Sequence, residues 1–432
     1  MTTMSAANRL SRRRFLRKSA ATMALLSAAR VALPNGAFAQ GNGPEVTGAK
    51  LGFIALTDAS PLIIAKEKGL FEKYGVPEVE VLKQASWGAT RDNLVLGSAG
   101  SGIDGAHILT PMPYLMTAGK ITQNNVPLPM KIVARLNLDA QAISIAKAYA
   151  DLKVGTDAGL LKEIFARKKA EGAPAKVAMT FPGGTHDLWL RYWLAAGGIN
   201  PDGDVETIVV PPPQMVANMK VGTMDCFCVG EPWNAQLVNQ GIGYTALNTA
   251  EIWPKHPEKS LALRADFVDR NPKTVEALLM AVLEAQQWCD DFANKDEMAE
   301  IVSRRSWFNV PKADIIGRIK GDYDYGNGKI IKDSPHFMKF WRDNASFPFK
   351  SHDTWFLTEN IRWGKLPPDT DIKALIGAVN GADLWRMAAK ALGVTDVPTS
   401  DSRGPETFFD GKVFDPQNPM TYLASLSIKH TA

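Results

Sequence analysis

Cysteine is scarce in this chain of 432 residues, and the scarcity excludes a disulfide-stapled fold. The three cysteines are Cys226, Cys228 and Cys289, and an odd number does not form a closed disulfide framework. Cys226 and Cys228 are too close in sequence for an unstrained bridge within one strand. They also lack a second pair at zinc-site spacing. The segment DCFCV therefore predicts a buried strand in which cysteine acts as a small apolar residue.

The chain also lacks the short motifs of nucleotide-binding and common catalytic sites. No G-x-G-x-x-G stands at a strand-to-helix turn, and there is no P-loop. The six histidines form neither H-x-x-x-H nor H-E-x-x-H, and no G-x-S-x-G marks a nucleophile elbow. We therefore predict a protein that is not an enzyme, with no catalytic residue, no bound metal and no cofactor.

An excess of positive charge is missing once the first 39 residues are set aside. The formal net charge of +4 comes from 49 basic and 45 acidic residues. Seven of the basic residues, and none of the acidic ones, lie in residues 1–39, so 42 basic residues remain against 45 acidic ones. Nucleic-acid binding requires a basic face, and this balance gives it no support.

Residues 1–39 have the pattern of an export signal. The basic segment SRRRFLRKSA precedes a short apolar run and then Ala37-Phe38-Ala39, an A-x-A cleavage site. Paired arginines followed by Phe-Leu resemble a twin-arginine signal, and the apolar run is too short for a good membrane helix. A disordered basic tail is the alternative. We expect cleavage after Ala39, with no lipid anchor, and a soluble protein of the bacterial periplasm.

The remaining chain alternates strands and helices, which indicates an α/β fold. Apolar runs predict strands such as KLGFIAL and VEVLK, separated by an amphipathic helix from Pro61 to Gly75. The pattern restarts near residue 150 and turns helical after 255. We predict a bilobed protein with two α/β lobes joined by a hinge. Its first lobe begins with 40–142, the second lobe is 143–255, and 256–432 returns to the first lobe and ends in a helical and extended tail.

The final hundred residues are rich in tryptophan and show few clear periods. Four tryptophans lie there, and we expect them to pin an extended tail onto the first lobe: Trp341, Trp355, Trp363 and Trp385. A ligand would lie in the cleft between the lobes, outside the carboxyl ends of the strands.

Several segments resemble a known family. KEKGLFEKYGV is similar to type II periplasmic binding proteins in general. KQASWGATRDNL, FPGGTHDLWLRYWLAAGGINP, PPPQMVANMKVGTMDCFCVGEPWN and HPEKSLALR together resemble the nitrate-, nitrite- and bicarbonate-binding proteins of ABC importers. The resemblance covers about residues 48–390. It implies two α/β lobes with a hinge, and a small anion held between them.

The resemblance also implies a set of ligand-binding residues. Trp87 matches a tryptophan that lines the family's anion pocket, and Gln141 matches an amide that bonds the anion. His186 matches a histidine that contacts the anion, Gly230 a position that offers its backbone, and Lys259 a lysine that pairs with nitrate. For the bicarbonate binders, the resemblance implies an acidic residue at that last position and a calcium ion that shares the site. The lysine found here therefore favours nitrate or nitrite.

The residue types fit a planar monoanion, although each has an ordinary alternative. A lysine supplies a compact charge with three donors, and burying it alone is costly. Trp87 offers a flat face and an N–H. His186 stands at a predicted helix start with Thr185 as the N-cap, where the helix dipole favours an anion and disfavours a protonated ring. Taken singly, Trp87 also fits core packing, His186 a solvated helix start, and Lys259 the surface.

The function predicted is capture of nitrate, possibly nitrite, by a monomeric receptor that delivers it to an ABC permease driven by an ATPase. Bicarbonate or another small anion is the alternative ligand. A nitrate sensor acting on a regulator is a second alternative, which the export signal disfavours. A third, an enzyme similar to pyrimidine-precursor synthases, would need a cofactor-bearing lysine and a histidine- and cysteine-rich iron site, neither of which we find. No nucleic acid and no membrane insertion of the mature chain are expected.

Overall fold

The structure, a computed structural model, describes residues 43–430. The predicted signal peptide, residues 1–39, lies outside the described residues. None of the helices within 43–430 is long and apolar enough to span a membrane.

Two five-stranded sheets form the framework of the fold. The first has the order β2-β1-β3-β10-β4, in which β1 is parallel to β2 and β3 and β10 is antiparallel to both of its neighbours. Its strands are β1 (Lys50–Phe53), β2 (Glu80–Lys83), β3 (Gly105–Leu109), β4 (Met130–Arg135) and β10 (Lys259–Arg264).

The second sheet has the order β7-β6-β8-β5-β9 and repeats this arrangement, with β5 antiparallel to β8 and β9. Its strands are β5 (Gln141–Ala146), β6 (Lys176–Met179), β7 (Glu206–Val209), β8 (Cys226–Gly230) and β9 (Gly243–Asn248). The predicted strand DCFCV is confirmed as β8. Cys226, Cys228 and Cys289 are all buried free thiols.

Helices cover the faces of the two sheets. In the first lobe they are α1 (Ser60–Glu67), α2 (Leu70–Lys73), α3 (Trp87–Leu96) and α4 (Met112–Thr117), and in the second α5 (Lys162–Ala170), α6 (Thr185–Ala196), α7 (Met215–Lys220) and α8 (Trp233–Asn239). The returning chain adds α9 (Ala265–Arg270), α10 (Pro272–Asp290), α11 (Lys295–Ser303), α12 (Ala313–Lys320), α13 (Lys350–Arg362), α14 (Ile372–Val379), α15 (Ala382–Ala391) and α16 (Pro419–Ser425). Two short hairpins, β11 (Tyr323–Asp324) with β12 (Ile330–Ile331) and β13 (Glu406–Thr407) with β14 (Val413–Phe414), complete the structure.

The single helix predicted from Pro61 to Gly75 is two helices. Gly69 separates α1 from α2 with a φ of 67°, in the left-handed region that glycine adopts without steric cost. The apolar periodicity continues across this break, which is why the sequence pattern alone does not reveal it.

The chain passes between the sheets at two places that lie side by side. Residues 136–140 lead out of β4, and residues 256–258 lead back into β10. Leu138 forms an antiparallel bridge with Pro257, and the backbone N–H of Glu258 donates to the carbonyl oxygen of Asn137 at 3.3 Å. These paired crossing segments place Glu258 and Lys259 at the junction of the two lobes.

The expectation that the tail is pinned only onto the first lobe is wrong for two of its four tryptophans. Trp341 and Trp385 stack at 6.0 Å between ring centroids on the first lobe, where α15 packs against α10 and β4. Trp355 and Trp363 instead belong to the hydrophobic core of the second lobe, and Trp355 stacks on Trp189 of α6 at 4.9 Å. The tail therefore packs against both lobes.

Candidate functional site

The five residues predicted to bind the anion meet at the junction between the lobes. Trp87 begins α3, and Lys259 begins β10 of the first sheet. Gln141 begins β5 and Gly230 ends β8, and the two are paired directly across the second sheet. His186 lies in the first turn of α6. The side chains of Trp87, Gln141, His186 and Lys259 are fully buried. Together with Gly230 and with Asp58, His107 and Glu258, whose contacts are given below, they form one cluster, which we call the junction cluster.

Lys259 lies between two carboxylates at the centre of this cluster. Its Nζ is 3.0 Å from Oδ2 of Asp58 and 2.9 Å from Oε1 of Glu258. Burial disfavours the charged amine, but the two carboxylates outweigh burial and raise the pKa of Lys259 above its ordinary value. The lysine is therefore protonated, and two of its three N–H donors are engaged by these carboxylates.

Sequence reasoning missed Asp58, Glu258 and the role of His107. Asp58 lies in a short 3-10 helix, Thr57–Ala59, directly after the first strand. Burial raises the pKa of its carboxyl, but Lys259 and His107 outweigh burial, so the net pKa is lowered. Nε2 of His107 lies 2.6 Å from Oδ1 of Asp58. A signal existed: Asp58 is the only acid between the first strand and Pro61, and Glu258 adjoins Lys259 in HPEKS.

His186 is held by one hydrogen bond at each ring nitrogen. Its Nδ1 lies 2.6 Å from the hydroxyl of Thr180, and its Nε2 lies 3.0 Å from Oε1 of Gln141. The amide oxygen of Gln141 only accepts, so Nε2 of His186 carries a proton and donates it. Nζ of Lys259 lies 3.4 Å from the same Nε2.

The imidazole of His186 is neutral in this setting. Burial is the main reason, and the nearby Lys259 charge adds to it, so the pKa of His186 lies well below its ordinary value. With Nε2 protonated, Nδ1 is the acceptor and the hydroxyl of Thr180 donates to it. The sequence left the charge of this ring open, and the geometry selects the neutral Nε2–H form.

The prediction that Thr185 is the N-cap of this helix is wrong. Gly184 occupies the N-cap position and α6 begins at Thr185. The hydroxyl of Thr185 donates instead to Oε1 of Glu258, and the indole N–H of Trp189, one turn further along α6, donates to Oε2 at 2.6 Å. The start of this helix thus supplies donors to a carboxylate that the sequence did not single out.

Gly230 is tightly enclosed by the junction cluster. A Cβ at this position would lie 2.5 Å from Oε1 of Gln141, 3.1 Å from Cδ2 of Leu56 and 3.3 Å from Oδ2 of Asp58. The shortest of these contacts is too close for packed atoms, so a larger residue here would have to displace the Gln141 amide. The two lobes approach each other at this point, where the N–H of Thr57 donates to the carbonyl oxygen of Glu231 at 2.7 Å.

Two buried donors beside the cluster lack a hydrogen-bond partner among residues 43–430. They are the indole N–H of Trp87 and the hydroxyl of Thr57. Nζ of Lys259 lies 5.9 Å from the centroid of the Trp87 ring, and Thr57 adjoins Asp58. Buried polar groups in native proteins are satisfied as a rule, by protein groups or by ordered water, so these two donors are available to a ligand or to water.

A cavity of about 520 Å³ opens next to the cluster. It is bounded by the helix that Trp87 begins and by the loop after β6, so both lobes contribute to its wall. Its lining residues are Ser86, Gly88, Arg91, Ile121, Thr180, Phe181, Pro182, Val209 and Pro211. Thr180 thus touches His186 on one side and the cavity on the other.

The chemistry of the site is that of anion recognition. A buried ammonium, an indole N–H and an imidazole N–H lie close together beside an aromatic ring, and groups of this kind suit a small anion with several oxygens. Within the described residues, no group of three or more His, Cys, Asp or Glu side chains is arranged to hold a metal ion.

Comparison with known proteins identifies the family of this chain. Residues 42–303 match the model of the NMT1-like family. The chain is 64% identical over 391 residues to the nitrate/nitrite binding protein NrtA of Synechocystis, covering 90% of this chain and 86% of that protein. The crystal structure of the periplasmic nitrate-binding protein NrtA from Synechocystis PCC 6803 superposes with a TM-score of 0.87, covering 90% of this chain and 100% of that chain.

Two further relatives are more distant. The bicarbonate-binding protein CmpA of Synechococcus elongatus is 45% identical, covering 89% of this chain and 88% of that protein. The nitrate import ATP-binding protein NrtC of Synechocystis is 35% identical, covering 90% of this chain but 56% of that protein. The predicted bilobed periplasmic binding protein fold is confirmed by these matches. The chain belongs to the NMT1-like family, in one group with the nitrate/nitrite binding protein NrtA and the bicarbonate-binding protein CmpA.

Proposed function

We propose that this protein is the periplasmic receptor of an ABC importer and captures nitrate, or nitrite, between its two lobes. The observation that carries the proposal is Lys259, a fully buried ammonium whose Nζ lies 3.4 Å from Nε2 of His186 and 5.9 Å from the centroid of the Trp87 ring. NrtA, a nitrate/nitrite binding protein, is 64% identical to this chain. The protein binds and releases its ligand without transforming it.

We assign the ligand contacts to five residues. Lys259 supplies the charge, and Trp87 supplies a donor and a flat apolar wall. His186 donates through Nε2, Gln141 fixes the ring of His186 through its amide oxygen, and Gly230 leaves the space that the anion and the closing lobes need. Residues from both lobes thus contact one ligand, and closing the lobes removes water and strengthens each charge interaction.

Nitrate is favoured over bicarbonate because of the charge at position 259. The bicarbonate-binding pattern has an acidic residue with calcium at this place, whereas a lysine attracts a monoanion directly and repels a divalent cation. Glu258 and Asp58 already hold the lysine from two sides, so the third donor direction is the one available to the anion.

The receptor works with a membrane permease and an ATPase, as an ABC importer requires. The nitrate import ATP-binding protein NrtC contains a region similar to this chain. We propose export by the twin-arginine pathway on the basis of the SRRRFLRKSA segment, cleavage after Ala39, and a mature monomer of two lobes with the return 256–432. The lobe boundary expected between 142 and 143 moves to the crossing residues 136–140, because β5 of the second sheet begins at Gln141.

Calorimetric titration of the mature protein tests the ligand assignment. Nitrate, nitrite and bicarbonate are titrated separately, with and without calcium. We expect nitrate and nitrite to bind without calcium and bicarbonate to bind weakly or not at all. Tight bicarbonate binding that depends on calcium would instead assign the protein to the bicarbonate receptors.

The variant Lys259→Glu tests the site. Three carboxylates would then face one another in a buried cluster, and we expect nitrate binding to be lost. Lys390→Glu makes the same charge reversal on the exposed face of α15 and is expected to keep the wild-type Kd. Unchanged nitrate affinity in Lys259→Glu would refute the assigned site.

A further inference from the structure

The side chains of the junction cluster carry a net negative charge, although the ligand is an anion. Asp58 and Glu258 are both fully buried, and Lys259 is the one ammonium that touches them. Two negative charges against one positive charge leave one negative charge. Binding a monoanion would bring a second uncompensated negative charge into a water-excluded site, which is strongly unfavourable.

Neither carboxylate is placed to remove this charge by taking up a proton. Oδ1 of Asp58 faces Nε2 of His107 at 2.6 Å, and Oδ2 faces the amide nitrogen of Gln141 at 3.2 Å and Nζ of Lys259 at 3.0 Å. Oε1 of Glu258 accepts from Lys259 and from a threonine hydroxyl, and Oε2 accepts from the Trp189 indole. Every oxygen already faces a donor, so a carboxyl proton would have no acceptor.

His107 is also unsuited to a second proton. Its Nε2 donates to Asp58, and its Nδ1 faces the backbone N–H of Ile54 at 3.5 Å. A proton on Nδ1 would point at this N–H, and two donors would oppose each other. His107 therefore stays in the neutral form, in agreement with its pKa, which burial lowers despite the neighbouring Asp58.

His186 differs because each of its nitrogens has an acceptor within hydrogen-bond distance, although the ammonium of Lys259 also lies 3.4 Å from Nε2. Nε2 donates to Oε1 of Gln141 at 3.0 Å and lies 3.4 Å from Oε1 of Glu258. Nδ1 lies 2.6 Å from the hydroxyl oxygen of Thr180, which donates to it when the ring is neutral. If Nδ1 gains a proton, the same oxygen accepts it through a lone pair and only the hydroxyl hydrogen has to rotate.

We propose that the site binds its anion together with one proton, which His186 takes up on Nδ1 and which Thr180 accepts as a positioning residue. The inference rests on the proposed function and deepens it. The proton converts an imidazole into an imidazolium beside the anion, so the charge of the occupied cluster equals that of the cluster before binding. Thr180 also lines the cavity of about 520 Å³ between the lobes, which gives the proton a route to this nitrogen.

Several charged and titratable groups face His186, and their balance sets when it takes up the proton. These groups belong to the first lobe and the crossing segments, and they are Asp58, His107, His256, Glu258 and Lys259. Burial and the Lys259 charge keep the ring neutral in this structure, and a bound anion acts in the opposite direction, because a negative charge nearby favours the protonated ring.

The proton also determines which anions fit. A monoanion is balanced by one proton on His186. A divalent anion such as sulfate would require two protons. Within the described residues, the cluster has no second ring nitrogen that both faces an acceptor and contacts Lys259. His256 contacts Glu258 from the far side, with its ring 4.5 Å from that of Trp189. We therefore expect sulfate to be rejected on charge.

Calorimetry measures the proton directly. Nitrate is titrated into the mature protein at neutral pH in phosphate, HEPES and Tris buffers, whose ionisation enthalpies differ. A plot of the observed enthalpy against the buffer ionisation enthalpy has a slope equal to the number of protons exchanged. We expect about one proton taken up per nitrate, and an affinity that falls by up to about tenfold per pH unit as the pH rises.

Variants assign the proton to its position. Thr180→Val removes the acceptor for Nδ1–H, and we expect weaker binding with a reduced proton slope, whereas Thr180→Ser restores both. His186→Gln keeps a side-chain donor but lacks a titrating ring, and we expect weak binding with no proton uptake. His256→Gln is expected to keep the wild-type proton slope.

The outcomes separate the two proposals. Nitrate binding by the wild-type protein with no proton exchange in any buffer would refute the proton-coupled site and leave the nitrate receptor intact. Proton uptake that persists in His186→Gln but disappears in His256→Gln would overturn the assignment to His186. Absence of nitrate binding altogether would reject the proposed function and, with it, this inference.

Discussion

Replacing Gly230 with alanine is expected to weaken anion binding while leaving the overall fold in place. The added Cβ would lie 2.5 Å from Oε1 of Gln141 and 3.1 Å from Cδ2 of Leu56. Since packed heavy atoms approach to about 3.5 Å, the Gln141 amide would have to move by about 1 Å. Leu56 and Gly230 belong to different lobes, so the methyl group would also hold the lobes apart.

The size of the effect follows from the bonds that Gln141 makes. Its amide oxygen accepts from His186 at 3.0 Å, and its amide nitrogen donates to the carboxylate of Asp58 at 3.2 Å. A neutral hydrogen bond is worth about 0.5–1.5 kcal/mol and one to a charged group about 1.5–3 kcal/mol. Losing both is expected to lower the free energy of unfolding of the nitrate-bound protein by about 2–4 kcal/mol, and the Kd for nitrate is expected to rise at least about tenfold.

Urea unfolding with and without saturating nitrate, together with calorimetric titration, measures both quantities. Gly377→Ala is the matched control, because a Cβ at this exposed position of α14 meets no atom within 4 Å. It is expected to keep the wild-type Kd and to stabilise its helix by up to about 1 kcal/mol. If Gly230→Ala binds nitrate with the wild-type Kd and unfolds at the wild-type urea concentration, the close packing described around Gly230 is refuted.

Three further predictions concern stability and reactivity. Lys259→Met leaves Asp58 and Glu258 buried without a cation, and we expect the free energy of unfolding at neutral pH to fall by about 3–5 kcal/mol in urea titrations; a loss below 1 kcal/mol would contradict the buried triad. Burial lowers the pKa of His352 to about 3. At pH values between this pKa and the ordinary value of about 6.5, the unfolded chain therefore binds a proton at His352 and the folded chain does not. Stability should therefore fall as the pH drops below about 6.5, by up to about 1.4 kcal/mol per pH unit for this histidine, and urea midpoints measured from neutral to acidic pH should show less decline in His352→Gln. The thiols of Cys226, Cys228 and Cys289 are buried, and burial raises their pKa values. They should therefore react with a thiol reagent only after unfolding. Fast reaction of the native protein would contradict their buried position.

Sequence patterns predicted the sheets of the fold because buried strands leave a strong signal. The short apolar runs KLGFIAL, VEVLK and DCFCV lie on or close to the observed strands β1, β2 and β8. The break in the first helix at Gly69 was missed, because apolar spacing continues through it while the backbone does not. The docking of the tail on the second lobe was missed, because Trp355 stacks on Trp189, which is far away in the chain and which local sequence patterns do not connect to it.

The candidate site was predicted in part, and what was missed has a physical explanation. Trp87, Gln141, His186, Gly230 and Lys259 come together as the family resemblance implied, although their role as ligand contacts stays a prediction. A lone lysine is not buried without opposite charge, so a buried Lys259 implies carboxylate partners. Glu258 is adjacent to it in the sequence, but Asp58 lies far away in the chain and only the fold brings it to Lys259.

The tail helix α13 limits how the two lobes can separate. On one side Asp353 accepts from Arg135 of β4, with both side chains fully buried. On the other side Trp355 stacks on Trp189 of α6, and the amide of Asn360 donates to the carbonyl oxygen of Gly183 at 3.2 Å. Pulling the lobes apart in translation would break a buried ion pair or an aromatic stack. The less costly motion is a rotation about an axis close to this helix, because such a rotation can keep the ion pair and the aromatic stack in place.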